Sequence, residues 1–146
     1  MVEDGLIAAH AAGWRGTVTC LESRPGGEGR RLAARWAREG IAARWVPDRE
    51  RRSAVRASDA VLVGADAILA DGSLVHKVGT RALAREARRA GVPFLVAAGR
   101  SKRVPFARLP RPLPARFDRT PAREIAGFLT DRGGTAPRPR PASRSN

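Results

Sequence analysis

Residues 61–99 read VLVGADAILADGSLVHKVGTRALAREARRAGVPFLVAAG. AVLVGA (60–65) and PFLVAAG (93–99) are short continuous apolar runs, the pattern of strands buried on both faces. Between them, KVGTRALAREARRAG (77–91) places Val78, Ala82, Leu83 and Ala87 on one side and closes on Gly91. That is a helical period with a glycine stop. A strand, a helix and a second strand form the unit from which parallel sheets are built.

The flanking sequence continues the alternation. EDGLIAAHAA (3–12) predicts a short helix with Leu6, Ile7 and Ala11 on one face. TVTCLES (17–23) is β-branched and apolar and predicts a strand. GEGRRLAARWAREG (27–40) predicts a helix with Leu32, Ala33 and Trp36 inward, and IAARWVP (41–47) a second strand. DRERRSAVRAS (48–58) predicts a short helix. TPAREIAGFLTDRGG (120–134) predicts a last one, with Thr120 as N-cap, Pro121 in the first turn and Gly133 at its end. The expected class is α/β, a parallel sheet flanked by helices with right-handed crossovers. The expected domain covers 1–134, and TAPRPRPASRSN (135–146) is expected to be a disordered basic tail, too polar and Pro-rich to pack.

The 146 residues fit one domain, and 42% hydrophobic residues are enough for a core. No apolar run approaches a membrane span, and the N-terminus MVEDGLIAAHAAGW lacks the basic region of a secretory signal. A single cysteine fits a reducing compartment, so the expected location is the cytoplasm, with no membrane contact. The formal net charge of +14 raises nucleic acid as a partner. Only Lys77 and Lys102 of the 28 basic residues are lysines, and the arginines are scattered along the chain. The charge therefore predicts only weak, non-specific affinity for polyanions.

In a parallel α/β sheet, ligands sit beyond the C-terminal ends of the strands. The polar residues expected there are Glu22, Ser23 and Arg24, then Asp48, then Asp66, then Arg100, Ser101 and Lys102. Asp66 follows an apolar run and Gly64, so it reads either as a partly desolvated proton-transfer group or as a loop cap. Lys77 reads as a phosphate contact at a helix start or as a solvated first-turn residue. His76 beside it titrates near neutrality if unperturbed. Arg24 with Gly26, Gly27 and Gly29 would make an anion cradle, although the spacing matches neither a P-loop nor a dinucleotide fingerprint. Cys20 lies inside a strand and reads as a small core residue. His10 reads as surface or structural. No metal-ligand spacing and no Ser-His-Asp pattern occurs, so no metal or cofactor is expected.

Four segments taken together are more specific than any one. ESRP…EGRRLA, VLVGADAILADGSLVHKVGT, GVPFLVAA and FDRTPAREIAGFLTDRG occur in that order. They resemble the C-terminal Rossmann-like domain of the family that contains methylthioribose-1-phosphate isomerase, ribose-1,5-bisphosphate isomerase and the alpha, beta and delta subunits of eukaryotic translation initiation factor 2B. The resemblance runs from about Gly5 to Gly134, and its most diagnostic block is GAD…G…K.GT. It implies that Asp66 matches the family's catalytic Asp, that Lys77 and Arg24 match substrate-holding residues, that Glu28 stands where the isomerases carry Gln, and that His76 stands where they carry Asn. It also implies an N-terminally truncated member. The family's catalytic Cys loop and its helical domain would precede Met1, and one sheet edge would be left unpaired for a partner. The expected function is thus a non-catalytic module that binds a sugar phosphate or nucleotide phosphate and assembles as a homodimer or hetero-oligomer through this domain. The alternatives are an aldose–ketose isomerase acting on a ribose 1-phosphate derivative, its other half supplied upstream or by a partner, and a basic nucleic-acid-binding or translation-associated protein.

Overall fold

The computed structural model describes residues 2–109, 111–131 and 133–134. The expected basic tail at 135–146 lies outside them. The elements in chain order are α1 (Val2–Ala11), β1 (Thr17–Leu21), α2 (Glu28–Arg38), β2 (Ala42–Val46), α3 (Arg51–Arg56), β3 (Val61–Val63), β4 (Ala67–Ile68), β5 (Leu74–Lys77), α4 (Thr80–Ala90), β6 (Phe94–Ala97), β7 (Phe117–Thr120), β8 (Gly127–Thr130) and β9 (Gly133–Gly134). Short 3-10 turns occupy Asp48–Glu50, Arg100–Lys102 and Ala122–Glu124.

The expected α/β alternation is present, and the long strands are parallel. They fall into two ladders. β1 pairs with β2, and β6 lies between β3 and β8, all parallel, with β9 antiparallel on the far side of β8. Each ladder has its own apolar cluster. Phe94, Val96, Leu74, Ile68, Ala84 and Ala87 pack together around β3, β6 and α4. Cys20, Ala33, Trp36 and Ile41 pack around β1 and α2, with Val2, Leu6 and Ile7 of α1 laid against them. Among the described residues β1, β2 and β3 each have a strand neighbour on one side only.

Two expectations are corrected. The stretch 120–134 is not a helix. Thr120 ends β7, Ala122–Glu124 is a 3-10 turn and Gly127–Thr130 is β8. The local cap signals at Thr120 and Pro121 lose to burial. Thr120 is fully buried, and β8 takes the place beside β6 that completes the parallel ladder. Lys77 likewise does not open a helix. It ends β5, and the chain turns through Gly79 in the left-handed region (φ 100°) before α4 begins at Thr80. A side chain would strain that turn. β4, β5 and β7 form a small antiparallel sheet that the sequence reading does not anticipate. Of the predicted α1 face, Leu6 and Ile7 pack on the core, whereas Ala11 is exposed.

The α2 start is fixed by close packing. A Cβ on Gly29 would lie 1.7 Å from the Leu21 carbonyl oxygen, so only glycine lets α2 begin against the end of β1. Further along, Trp36 Nε1 donates to the Glu3 carbonyl oxygen at 3.2 Å, and Arg35 pairs with Glu3, which docks α1 on α2. Among the described residues, no helix is long and apolar enough to cross a membrane.

Cys20 is buried as expected, and desolvation pushes its thiol up to about 11. At pH 8 it is therefore a thiol, and the thiolate is the form that alkylates. Iodoacetamide at pH 8 is expected to leave Cys20 unmodified in the native protein and to modify it fully in urea, as read by intact mass. Native labelling as fast as that of a free thiol would contradict this packing.

Candidate functional site

The site is built from the bottom by a turn and a strand. After β1 the chain turns at Ser23, which adopts φ 64°. The left-handed conformation is unfavourable for a non-glycine residue by roughly 1–2 kcal/mol. It is held on both sides. Asp48 accepts hydrogen bonds from the Ser23 and Arg24 backbone N–H groups, each at 2.8 Å. Lys77 Nζ donates to the Ser23 carbonyl oxygen at 2.7 Å. Asp48, two residues past β2, and Lys77, the last residue of β5, thus clamp Ser23, two residues past β1.

Lys77 makes a second contact, donating to Glu28 Oε2 at 2.5 Å. Glu28 opens α2, where a carboxylate also suits the helix N-terminus. The Lys77 hydrogen bond, then that of its own backbone N–H, holds the Glu28 carboxyl below the ordinary glutamate range. The Glu28 side chain is 53% exposed, so the pair adds little to stability and is open to exchange with another anion.

Side chains alternate along β5, so His76 faces away from Lys77. Its Nδ1 lies 2.7 Å from Asp66 Oδ2. An ionised carboxylate only accepts, so Nδ1 carries the proton in this pair and Nε2 is left as the acceptor when the ring is neutral. Asp66 sits between β3 and β4, and its N–H donates to the Val75 carbonyl oxygen at 3.0 Å, which ties it to β5. A Cβ on Gly64 would meet the His76 ring at 3.7 Å, ordinary contact, so Gly64 is not required there by space.

Four of the five predicted site residues thus form two pairs, Asp66 with His76 and Lys77 with Glu28, built on the neighbouring residues 76 and 77 of β5. Arg24 joins neither. Its Nε donates to Glu22 Oε2 at 3.2 Å, and 75% of its side chain is exposed. Arg100, Ser101 and Lys102 form an exposed 3-10 turn. Two structural carboxylates carry more than their sequence context indicates. Asp48 builds the Ser23 turn. Asp118 of β7 accepts from the Gly79 N–H at 2.8 Å and the Arg81 N–H at 3.2 Å and so caps α4. Asp118 lies just before the stretch misread as helix, and the strand signal in FDRT is too short to place it. Among the described residues no group of three or more His, Cys, Asp or Glu is placed to hold a metal ion.

Because the folded-state Glu28 carboxyl is held low, its contribution is present above the ordinary glutamate value of about 4.3 and is lost as pH falls through the lower folded value. The stability difference between the wild-type chain and Glu28→Gln is therefore expected to stay constant from pH 8 to 5 and to shrink below about pH 4. Urea denaturation across that range measures it. A difference that does not change with pH would show that Lys77 does not hold Glu28.

Against known proteins, the model of the Initiation factor 2 subunit family matches residues 1–111. The chain is 38% identical to a protein of Gemmatimonas aurantiaca named methylthioribose-1-phosphate isomerase, over 90% of this chain and 45% of that one. Its fold superposes on the translation initiation factor eIF-2B of Pyrococcus horikoshii with a TM-score of 0.82 at 30% identity, covering 94% of this chain and 55% of that one. It matches the tetrameric eIF2B beta–delta complex of C. thermophilum with a TM-score of 0.76 at 28% identity, covering 87% of this chain and 46% of that one. The chain spans about half the length of the proteins it matches. The family match and the shared fold together establish that this chain belongs to the Initiation factor 2 subunit family.

Proposed function

We propose that this chain is a cytoplasmic binding and interaction module of its family, that it takes the phosphate of a sugar phosphate or nucleotide phosphate on Lys77, and that it works as a homodimer or with a partner chain. The observation that carries this reading is the double contact of Lys77. One contact is to the carbonyl oxygen of a clamped turn and holds the ammonium in place. The other is to a half-exposed carboxylate, which a phosphate can replace. Binding is then an exchange of one anion for another, with the cation already positioned. Glu28 competes with the ligand, so affinity is modest. The tetrameric relative supports assembly, because β1, β2 and β3 offer strand edges.

The non-catalytic part of this reading rests on how the charges are arranged. Asp66 is engaged by His76, and Lys77 by Glu28, so each charged group of the site is already balanced by a neighbour. The isomerase reading is favoured by the similarity to a protein named methylthioribose-1-phosphate isomerase and by the same Asp66–His76 pair. An aldose–ketose shift needs the ring opened and a hydrogen moved between C1 and C2. In this chain Asp66 would be the group that passes the proton, with His76 holding one of its oxygens and keeping Nε2 available as a base.

Two measurements separate these readings. Titration calorimetry with ribose 5-phosphate is expected to show binding that Lys77→Met abolishes and Glu28→Gln strengthens by roughly 3- to 30-fold, the range of a charge-assisted contact released from a competitor. Binding unchanged in both variants would place the phosphate elsewhere. Incubation with ribose 1,5-bisphosphate and with methylthioribose 1-phosphate is expected to give no ketose product by NMR. Turnover that disappears in Asp66→Asn would overturn the non-catalytic reading in favour of the isomerase.

A further inference from the structure

Trp45 lies on β2 with 41% of its surface open, one of four large apolar side chains left exposed among the described residues. Arg30 of α2 lies over it, with the guanidinium carbon 4.6 Å from the ring centroid. A guanidinium stacked on an indole gives two flat layers, one apolar and one cationic. Two adjoining clefts of about 600 and 540 Å³ open around this stack and share Glu22, Arg24 and Arg30. The second is also walled by Trp45, Asp48 and Arg49.

The charge balance of the cleft is one-sided. Its two acids are engaged. Glu22 is buried between Arg24, at 3.2 Å, and Arg30, at 3.8 Å. Asp48 holds the backbone N–H groups of Ser23 and Arg24. The guanidinium donors are largely left over. Each Arg carries five N–H groups, Arg24 donates one of them, and among the described residues Arg49 donates none. Donors in excess of acceptors call for an anion, and flat walls call for a flat ring. The sequence alone sets the positive charge aside because its arginines are scattered. The fold gathers three of them, from the turn after β1, from α2 and from the turn after β2, around one exposed indole.

We propose that this cleft binds a nucleotide, its base stacked on the Trp45–Arg30 platform and its phosphate on Arg24 and Arg49. Base and phosphate are a chemistry shared by a free nucleoside monophosphate and by one nucleotide of a single strand. Stacking on an aromatic side chain is tolerant of base identity, because every base presents a π-face. The platform uses neither Lys77 nor Asp66, so Trp45→Ala separates it from the reading above: a nucleotide phosphate held on Lys77 would be bound equally well by that variant.

The test measures adenosine 5′-monophosphate by calorimetry and a fluorescein-labelled twelve-residue riboadenylate by anisotropy, on the full chain and on Trp45→Ala, Trp45→Phe and Arg49→Gln. Trp45→Ala changes no charge. It is expected to weaken binding roughly tenfold with an unchanged salt slope, and Trp45→Phe, which keeps a flat ring, to restore most of the affinity. Arg49→Gln is expected to weaken binding and to lower the salt slope by about one. Circular dichroism checks that each variant folds, and Trp45→Phe with Arg49→Gln carries the test if Trp45→Ala does not fold. Trp45-dependent binding of both probes identifies a site for the free nucleotide, and Trp45-dependent binding of the oligonucleotide alone identifies a site for a strand. Failure of both probes to bind, or binding by Trp45→Ala as tight as by the wild-type chain, would overturn the proposal.

Discussion

Ser23 is the residue on which the site depends. Its left-handed backbone points the turn after β1 toward β5, and it does so only because both of its peptide groups are held. Asp48 takes the N–H, and Lys77 gives to the carbonyl oxygen. Without Asp48 the Ser23 and Arg24 N–H groups would lose their acceptor. Without Lys77 a carbonyl would be left without its charge-assisted bond, and the link from the β1 side to the β5 side would be cut. The same Lys77 then meets Glu28, so the group that fixes the turn also pairs with the carboxylate that opens α2.

This clamp matters because the two parallel ladders do not share a hydrogen-bonded edge among the described residues. Each has its own apolar cluster, one around Trp36 and Cys20, the other around Phe94 and Leu74. At the strand ends, Lys77 ties the two sides together through Ser23 and Glu28. The site is positioned in part by these hydrogen bonds. Its geometry is therefore sensitive to single side chains, and its charged groups are partly exposed and exchangeable.

The sequence was legible where burial and periodicity agree. GEGRRLAARWAREG and KVGTRALAREARRAG show one apolar face and end on glycine, and they contain α2 and α4. VLV and FLVA are continuous apolar runs, and they are the strands β3 and β6 at the centre of the larger core. Legibility failed where tertiary packing overrides local signals. FDRTPAREIAGFLTD carries an N-cap and a helix-start proline, yet Thr120 is needed in the interior and Phe128 and Leu129 are needed beside β6, so the segment extends. LVHK is only four residues, too short for its alternation to stand out, so Lys77 was placed on a helix. The residue types were legible, but they sit as two separate pairs on opposite sides of β5, Asp66 with His76 and Lys77 with Glu28. Their pairing was not legible, because it follows from strand alternation in β5. Arg24 was expected among them, and Glu22 draws it away.

We propose that Lys77, held by the Ser23 turn, exchanges Glu28 for a phosphate. The most direct test is an NMR titration of the chain with ribose 5-phosphate, observing the Lys77 ammonium and the Glu28 carboxyl carbon together. Both signals are expected to move in parallel, the Glu28 carbon toward the position of an unpaired carboxylate, while the Ser23 and Arg24 amide signals stay where Asp48 holds them. A phosphate-induced shift elsewhere on the chain with Lys77 and Glu28 unmoved would contradict it.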